Sequence, residues 1–143
     1  MNKKTPGTHP VPDGFEIVER KAPFTQANGP FYEKITGEGK LIRAFRVEER
    51  HLNSIKVVHG GMMMTFADSA LAASVVHETG RRCVTIKMNS EFLSPAREGD
   101  WVESDVEVIR STRTVVFVRG ELRARGKAIF KADAIFHYVH VGA

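Results

Sequence analysis

Cysteine is almost absent. Cys83 stands alone, so no intrachain disulfide can form, which suits a reducing, cytoplasmic setting. Long apolar runs are missing too: none approaches the ~20 residues of a membrane span, and no membrane association is expected. The opening residues MNKKTPGTHPVPDGF are basic but lack an apolar segment, so a secretory signal is not expected. Three of the 6 prolines crowd into residues 1–14 beside Gly7 and Gly14, which points to a loose arm. Neither sign of charge dominates, with 21 Lys and Arg against 17 Asp and Glu, a net +4. The basic residues are scattered, without arginines interleaved with aromatics, so a nucleic-acid surface is not expected. The mild excess favours anionic over cationic ligands. Metal-ligand spacing is lacking at His51, His59 and His77, and His137 and His140, three apart on a strand, would face opposite ways.

What the chain does have is a long apolar stretch, HGGMMMTFADSALAASVVH, from His59 to His77. It is free of proline, and between Gly61 and Val76 its single charge is Asp68. A helix apolar nearly all round is a buried helix, and roughly seventeen residues would span about 25 Å. Thr79-Gly80 closes it.

Around it the sequence is strand-like. Phe15 to Arg20 reads as a short turn or strand, Phe31 to Thr36 as a strand, and Gly37-Glu38-Gly39 as a tight turn into Lys40–Glu48. Glu49 to Val58 is a loop. After the helix come strands over Cys83–Leu93, Trp101–Arg110, Thr114–Arg123 and Ala128–Val141. In the first of these, Val84, Ile86 and Met88 alternate against Thr85, Lys87 and Asn89. Short turns demand antiparallel neighbours, so these four are expected to form a meander. One apolar face must be covered, and the central helix is the available cover. The chain of 143 residues fits one domain with an α+β fold, a curved antiparallel sheet wrapped around one long helix.

Polar groups gather near that helix. Asn53 lies in the preceding loop, His59 before the glycines, Asp68 in the helix and Thr85 on the next strand. Gly60-Gly61 would let a ligand approach the N–H donors and positive end of the helix, where a carbonyl oxygen becoming an oxyanion could be held. Asp68 would serve as nucleophile or as general base for a water. Taken singly, each has a plainer reading: Asp68 as a core hydrogen-bonding group, the glycines as packing residues, His59 as a satisfied histidine, Thr85 as an ordinary strand residue and Asn53 as a loop cap. The spacing adds a constraint. Gly60 and Asp68 are separated by about 12 Å along one helix axis, too far to share a substrate atom. Two antiparallel copies would bring each Asp68 to the other chain's Gly60, an isologous dimer with shared sites.

The joined pattern N-x5-H-G-G-x6-D, followed by N-S-E-F-L-S-P-A and G-D, closely resembles the hot-dog-fold acyl-CoA thioesterases, in particular the PaaI-like group. The resemblance spans roughly residues 30 to 141. It implies hydrolysis of an acyl-CoA, with coenzyme A entering as part of the substrate and no separate cofactor. By the same resemblance Asp68 activates water or attacks the thioester carbon, and Asn53 helps place the nucleophile or the thioester. Gly60 polarises the carbonyl through its N–H with His59 in support, and Thr85 orients the water. Gly61 and Met64 would line the substrate site. Family sites form across a dimer, usually within a tetramer. The Met62-Met63-Met64 run departs from the smaller aliphatics expected there and offers an adaptable acyl pocket, with core filling as the plainer reading. Two alternatives share the scaffold. One is a hydroxyacyl-thioester dehydratase, whose histidine lacks the following Gly-Gly. The other is a non-catalytic acyl-CoA-binding protein, which the polar set Asn53, Asp68 and Thr85 argues against. Arg81, Arg82, Arg97, Arg113, Arg123, Arg125 and Lys127, all near turns, are the cations available to coenzyme A phosphates.

Overall fold

A computed structural model describes residues 9–19 and 22–140. In chain order these form β1 (Glu16–Ile17), α1 (Pro23–Asn28), β2 (Tyr32–Ile35), β3 (Leu41–Arg46), a 3-10 turn at Glu49–His51, and α2 (Gly60–Thr79). The strands β4 (Cys83–Phe92), β5 (Trp101–Ser111), β6 (Val115–Ala124) and β7 (Lys127–Tyr138) follow. All seven strands join one open antiparallel sheet in the order β1-β2-β3-β5-β6-β7-β4. Strands β3 to β7 all touch α2, so the sheet must curve around it, as the α+β reading expects.

The four-strand meander does not form as expected. β5, β6 and β7 run as a meander, but β4 pairs with β7 and becomes the edge. Loop length separates the cases. Arg125-Gly126, both at positive φ (52° and 75°), make a two-residue hairpin turn that forces β6 against β7. Residues 93–100 between β4 and β5 are long enough to cross to another strand. The short α1 has no counterpart in the periodicity, because six residues carry too little of it; its signal is Pro23 at the first turn. Of the arm expected over residues 1–14, residues 1–8 lie outside the described residues. Pro10 is docked, its carbonyl accepting from Arg46 Nη2 at 2.7 Å.

The core lies between α2 and the inner face of the sheet. Phe66 is fully buried, with ring centroids 4.6 Å from Phe45 and 5.2 Å from Phe31. α2 packs tightly on the sheet at Gly120, where a Cβ would sit 3.1 Å from a Leu71 methyl and 3.0 Å from the Asp105 carbonyl of the adjoining strand. Met62 and Met63 fill core, and Met64 is half-buried. The expected all-round burial of α2 is found on one side only. Gly61, Met64, Thr65, Asp68, Ser69, Ala72 and Val76 recur at helical spacing and are left half-covered or exposed by the rest of the chain.

Truncating Phe66 leaves a cavity against the Phe31 and Phe45 rings that cannot easily collapse. Phe66→Ala is expected to lower unfolding stability by about 3–5 kcal/mol, read as an earlier urea midpoint with unchanged m-value.

Candidate active site

The N-terminus of α2 has four N–H groups without helical partners. His59 is the cap: its Nδ1 accepts from Gly61 N at 2.8 Å, and its carbonyl accepts from Met62 N at 2.9 Å and Met63 N at 3.2 Å. Among the described residues, that leaves the Gly60 N–H as the one first-turn donor with no acceptor, at the positive end of the helix. The two glycines therefore differ in task. A Cβ on Gly61 would sit 3.0 Å from His59 Nδ1 and push the cap away, so Gly61 makes room for His59 and its N–H is already used. A Cβ on Gly60 would meet the Phe92 ring at 3.4 Å.

His59 is anchored from below. Its backbone N–H donates to the His51 carbonyl at 2.8 Å, and Val58 N donates to the Ala96 carbonyl at 2.8 Å. His51 is buried, accepts from Glu48 N at its Nδ1 (3.0 Å) and donates from Nε2 to the Asn28 carbonyl (2.7 Å). Burial holds the His51 pKa below the ordinary 6.5, outweighing the bond to the Asn28 carbonyl, which raises it, and the nearby Arg50 charge lowers it further.

Asp68 and Thr85 are brought together. The Thr85 hydroxyl donates to Asp68 Oδ1, and Asp68 is half-buried on the uncovered stripe of α2. A bulge between Thr85 and Lys87 makes this possible. The expected alternation puts Thr85 on the face opposite Met88. The bulge instead turns Thr85 inward with Met88, Ser90 and Phe92, and leaves Val84 and Ile86 exposed at 53% and 56%. Cys83 lies near enough for the Asp68 charge to act on it. Burial first, and that charge second, push its thiol pKa up, so it stays a protonated neighbour and not a nucleophile.

Asn53 is placed otherwise. Its Oδ1 accepts from Ile55 N (3.1 Å) and Val57 N (3.2 Å), so the side chain shapes the loop before α2, and no hydrogen bond ties it to Asp68 or Thr85. Met64 lies between Gly60 and Asp68 on the uncovered stripe, packed against the edge of the core. Phe92 escaped the sequence reading; its signal was alternation, hidden by the bulge. Among the cations, Arg81 lies over the Tyr138 ring (3.6 Å), Arg123 pairs with Glu121 (2.9 Å) and Arg125 pairs with Asp100. Arg97 stands exposed beside Ala96, on the loop bonded to the α2 entry.

A large cleft of roughly 830 Å³ lies elsewhere, lined by Glu38, Glu78, Asp105, Glu121, Asp133 and their neighbours. It holds seven carboxylates against Lys40, Arg119 and Lys131, a poor seat for an anionic nucleotide. Among the described residues no three His, Cys, Asp or Glu side chains are grouped to hold a metal ion, and no helix is long and apolar enough to cross a membrane.

The thioesterase superfamily model matches residues 55–129, which include Gly60, Asp68, Thr85 and Phe92. A Pseudomonas aeruginosa protein named as an esterase is 30% identical over 129 residues, 89% of this chain and 96% of that protein. Human acyl-coenzyme A thioesterase 13 is 33% identical over 107 residues, 73% of this chain and 74% of that protein. Among solved structures, the E. coli PaaI protein from the phenylacetic acid degradation operon superposes with a TM-score of 0.75. It is 21% identical, with 84% of this chain and 86% of that one covered.

The depressed His51 pKa makes stability depend on pH. The unfolded chain binds a proton near pH 6.5 that the folded chain refuses, so this contribution is full above 6.5 and is lost as pH falls below it. Thermal midpoints should therefore decline between pH 7.5 and 5.5, and His51→Gln should flatten that slope while lowering the pH 7.5 value. An equal slope in the variant would assign the dependence to other groups.

Proposed function

Since the chain belongs to the thioesterase superfamily and is a PaaI-like hot-dog thioesterase, we propose that the thioesters it hydrolyses are acyl-CoAs. We further propose that each site combines Gly60 of one protomer with the partner's Asp68. The observation that carries this reading is the pairing of one free N–H with one hydroxyl-held carboxylate on the same rigid helix. The similarity to acyl-coenzyme A thioesterase 13 supports coenzyme A as the thiol.

Two separate spacings favour the shared site. On α2, Gly60 and Asp68 straddle Met64, so a two-fold axis passing Met64 exchanges them. On β4, Phe92 beside Gly60 and Thr85 beside Asp68 straddle Met88 and Asn89. The helix midpoint falls on Met64 and the strand midpoint beside Met88, both half-buried. β4 is also an edge strand paired only with β7, and a long open edge is a template for a second copy. The stripe on α2 would then be covered by the partner's stripe. Exposed Ile109 and Phe117 on the outer face offer surface for a further pairing into a tetramer. The single free cysteine fits a cytoplasmic location.

In the reaction, the thioester oxygen accepts from Gly60 N–H, and the partner's Asp68 takes a proton from water as the water oxygen bonds the carbonyl carbon. The carbonyl electron pair moves onto the oxygen facing Gly60. Its return breaks the C–S bond, and the departing thiolate takes up a proton to give free acid and CoA. Thr85 occupies Oδ1, which leaves Oδ2 for the proton or, in a covalent variant, for attack on the carbon. Asn53 supports this site through the loop that leads to Gly60. Gly61 contributes by seating His59, and Met64 would wall the acyl group. A dehydratase reading needs a basic histidine nitrogen in the site, whereas His59 Nδ1 accepts from Gly61, which puts the ring proton on Nε2 and leaves no basic nitrogen for that role.

Gly60→Pro isolates the donor. Proline suits the first helical position, and His59 at φ −56°, ψ 135° already has the backbone that precedes proline. The folded variant should lose about 10²–10³ in kcat, and Asp68→Ala about 10²–10⁴, measured as thiol release. Co-refolded in equal amounts, the two inactive variants should recover about a quarter of wild-type activity, since each mixed dimer rebuilds one intact site. No recovery would place Gly60 and Asp68 in the same chain's site.

A further inference from the structure

We propose that Phe92 is the residue that sets acyl selectivity beside the reacting carbonyl, limiting bulk at the carbon next to it; this rests on the thioesterase reading above. Register turns Phe92 inward opposite Phe130, which is fully buried. The two rings meet edge-to-face at 5.0 Å and 83°, so Phe92 is held by the core. Yet it is 58% exposed, with its outer surface open beside the helix N-terminus. Its Cε1 and Cζ each lie 3.4 Å from where a Cβ on Gly60 would stand. The ring thus borders the space where a Gly60 side chain would stand, beside the residue that carries the free donor.

A carbonyl oxygen bound to that N–H sits about 2.9 Å from the nitrogen, with its carbon one bond of about 1.2 Å farther on. Substituents on the adjacent carbon then come within reach of the ring. A straight acyl chain presents one CH₂ there, whereas an α-methyl branch needs room that the ring occupies. One methylene in a shaped apolar site is worth roughly 10–200-fold in selectivity. The ring surface also keeps water from one side of the Gly60 N–H, which strengthens that hydrogen bond in the transition state.

The test compares kcat/KM for isomeric pairs, butyryl- against isobutyryl-CoA and hexanoyl- against 2-methylpentanoyl-CoA. A ratio taken on one preparation cancels any change in the folded fraction, and isomers hold the acyl carbon count fixed. The straight-to-branched ratio should fall about 10-fold in Phe92→Ala, fall less in Phe92→Leu and rise in Phe92→Trp. Should the alanine variant fail to fold, the leucine and tryptophan variants still move the ratio in opposite directions. Ratios equal to wild type across the folded variants would overturn the role of Phe92 and leave the thioesterase reading standing. A wild-type protein that hydrolyses none of the four thioesters would overturn the acyl-CoA reading, and this inference with it.

Discussion

An α-helix holds its first and third turns at a fixed distance, about 12 Å for eight residues, and no side-chain motion of an aspartate closes that gap. α2 carries its free N–H at Gly60 and its carboxylate at Asp68, so in the site proposed above the two come from different copies of the helix. Most of the remaining architecture is intelligible as a consequence. The sheet covers only one side of α2, and the other side is the one the proposed partner would cover. Asp68 is held at the edge of that open stripe by Thr85, neither sunk in the core nor free in solvent. β4 lies at the sheet edge, and its placement there lets it carry Thr85 and Phe92 to the same open side.

Having one donor is as consequential as having one carboxylate. Four unpaired N–H groups at a helix start would bind any anion loosely. Here the His59 ring takes one and its carbonyl two, so the positive end of the helix is focused through Gly60. The cap needs a glycine at position 61 to make room for its ring and a rigid support below it. His51 supplies that support as a neutral ring bonded at both nitrogens. The His-Gly-Gly tripeptide is thus three distinct parts: a cap, a donor and a space. Its meaning lies in the hydrogen bonds more than in the residue types.

Much of this was legible in the chain. The one charge in an apolar helix picked out Asp68, and the turn signals at Gly37–Gly39, Gly80 and Arg125-Gly126 bounded the strands closely. The PaaI-like resemblance, carried by the motif from Asn53 to Asp68, named the fold and the thioesterase class that the family match establishes. Strand order was harder to read. Periodicity reports which residues are buried, but a loop such as residues 93–100 leaves open which neighbour its strands choose. The bulge at Thr85 was invisible for a related reason. A one-residue slip reverses every side chain beyond it, and nothing in the composition of Thr85-Ile86-Lys87 announces a slip. Phe92 was lost with it, since the unbulged pattern sets Thr85 and Phe92 on opposite faces.

The bulge also explains how two opposed demands on β4 are met. Near Thr85 the strand must present a small hydroxyl to a helical carboxylate. Near Phe92 it must present a large ring to a helix N-terminus, and the two residues stand an odd number of positions apart. A regular strand can turn only residues of like parity to one side. The extra residue restores the match and sends Val84 and Ile86 outward, where they stand exposed. Removing the bulge would therefore not simply relax the strand. It would rotate either the hydroxyl or the ring away from α2, and so separate the group that holds the carboxylate from the one that shapes the space beside the donor.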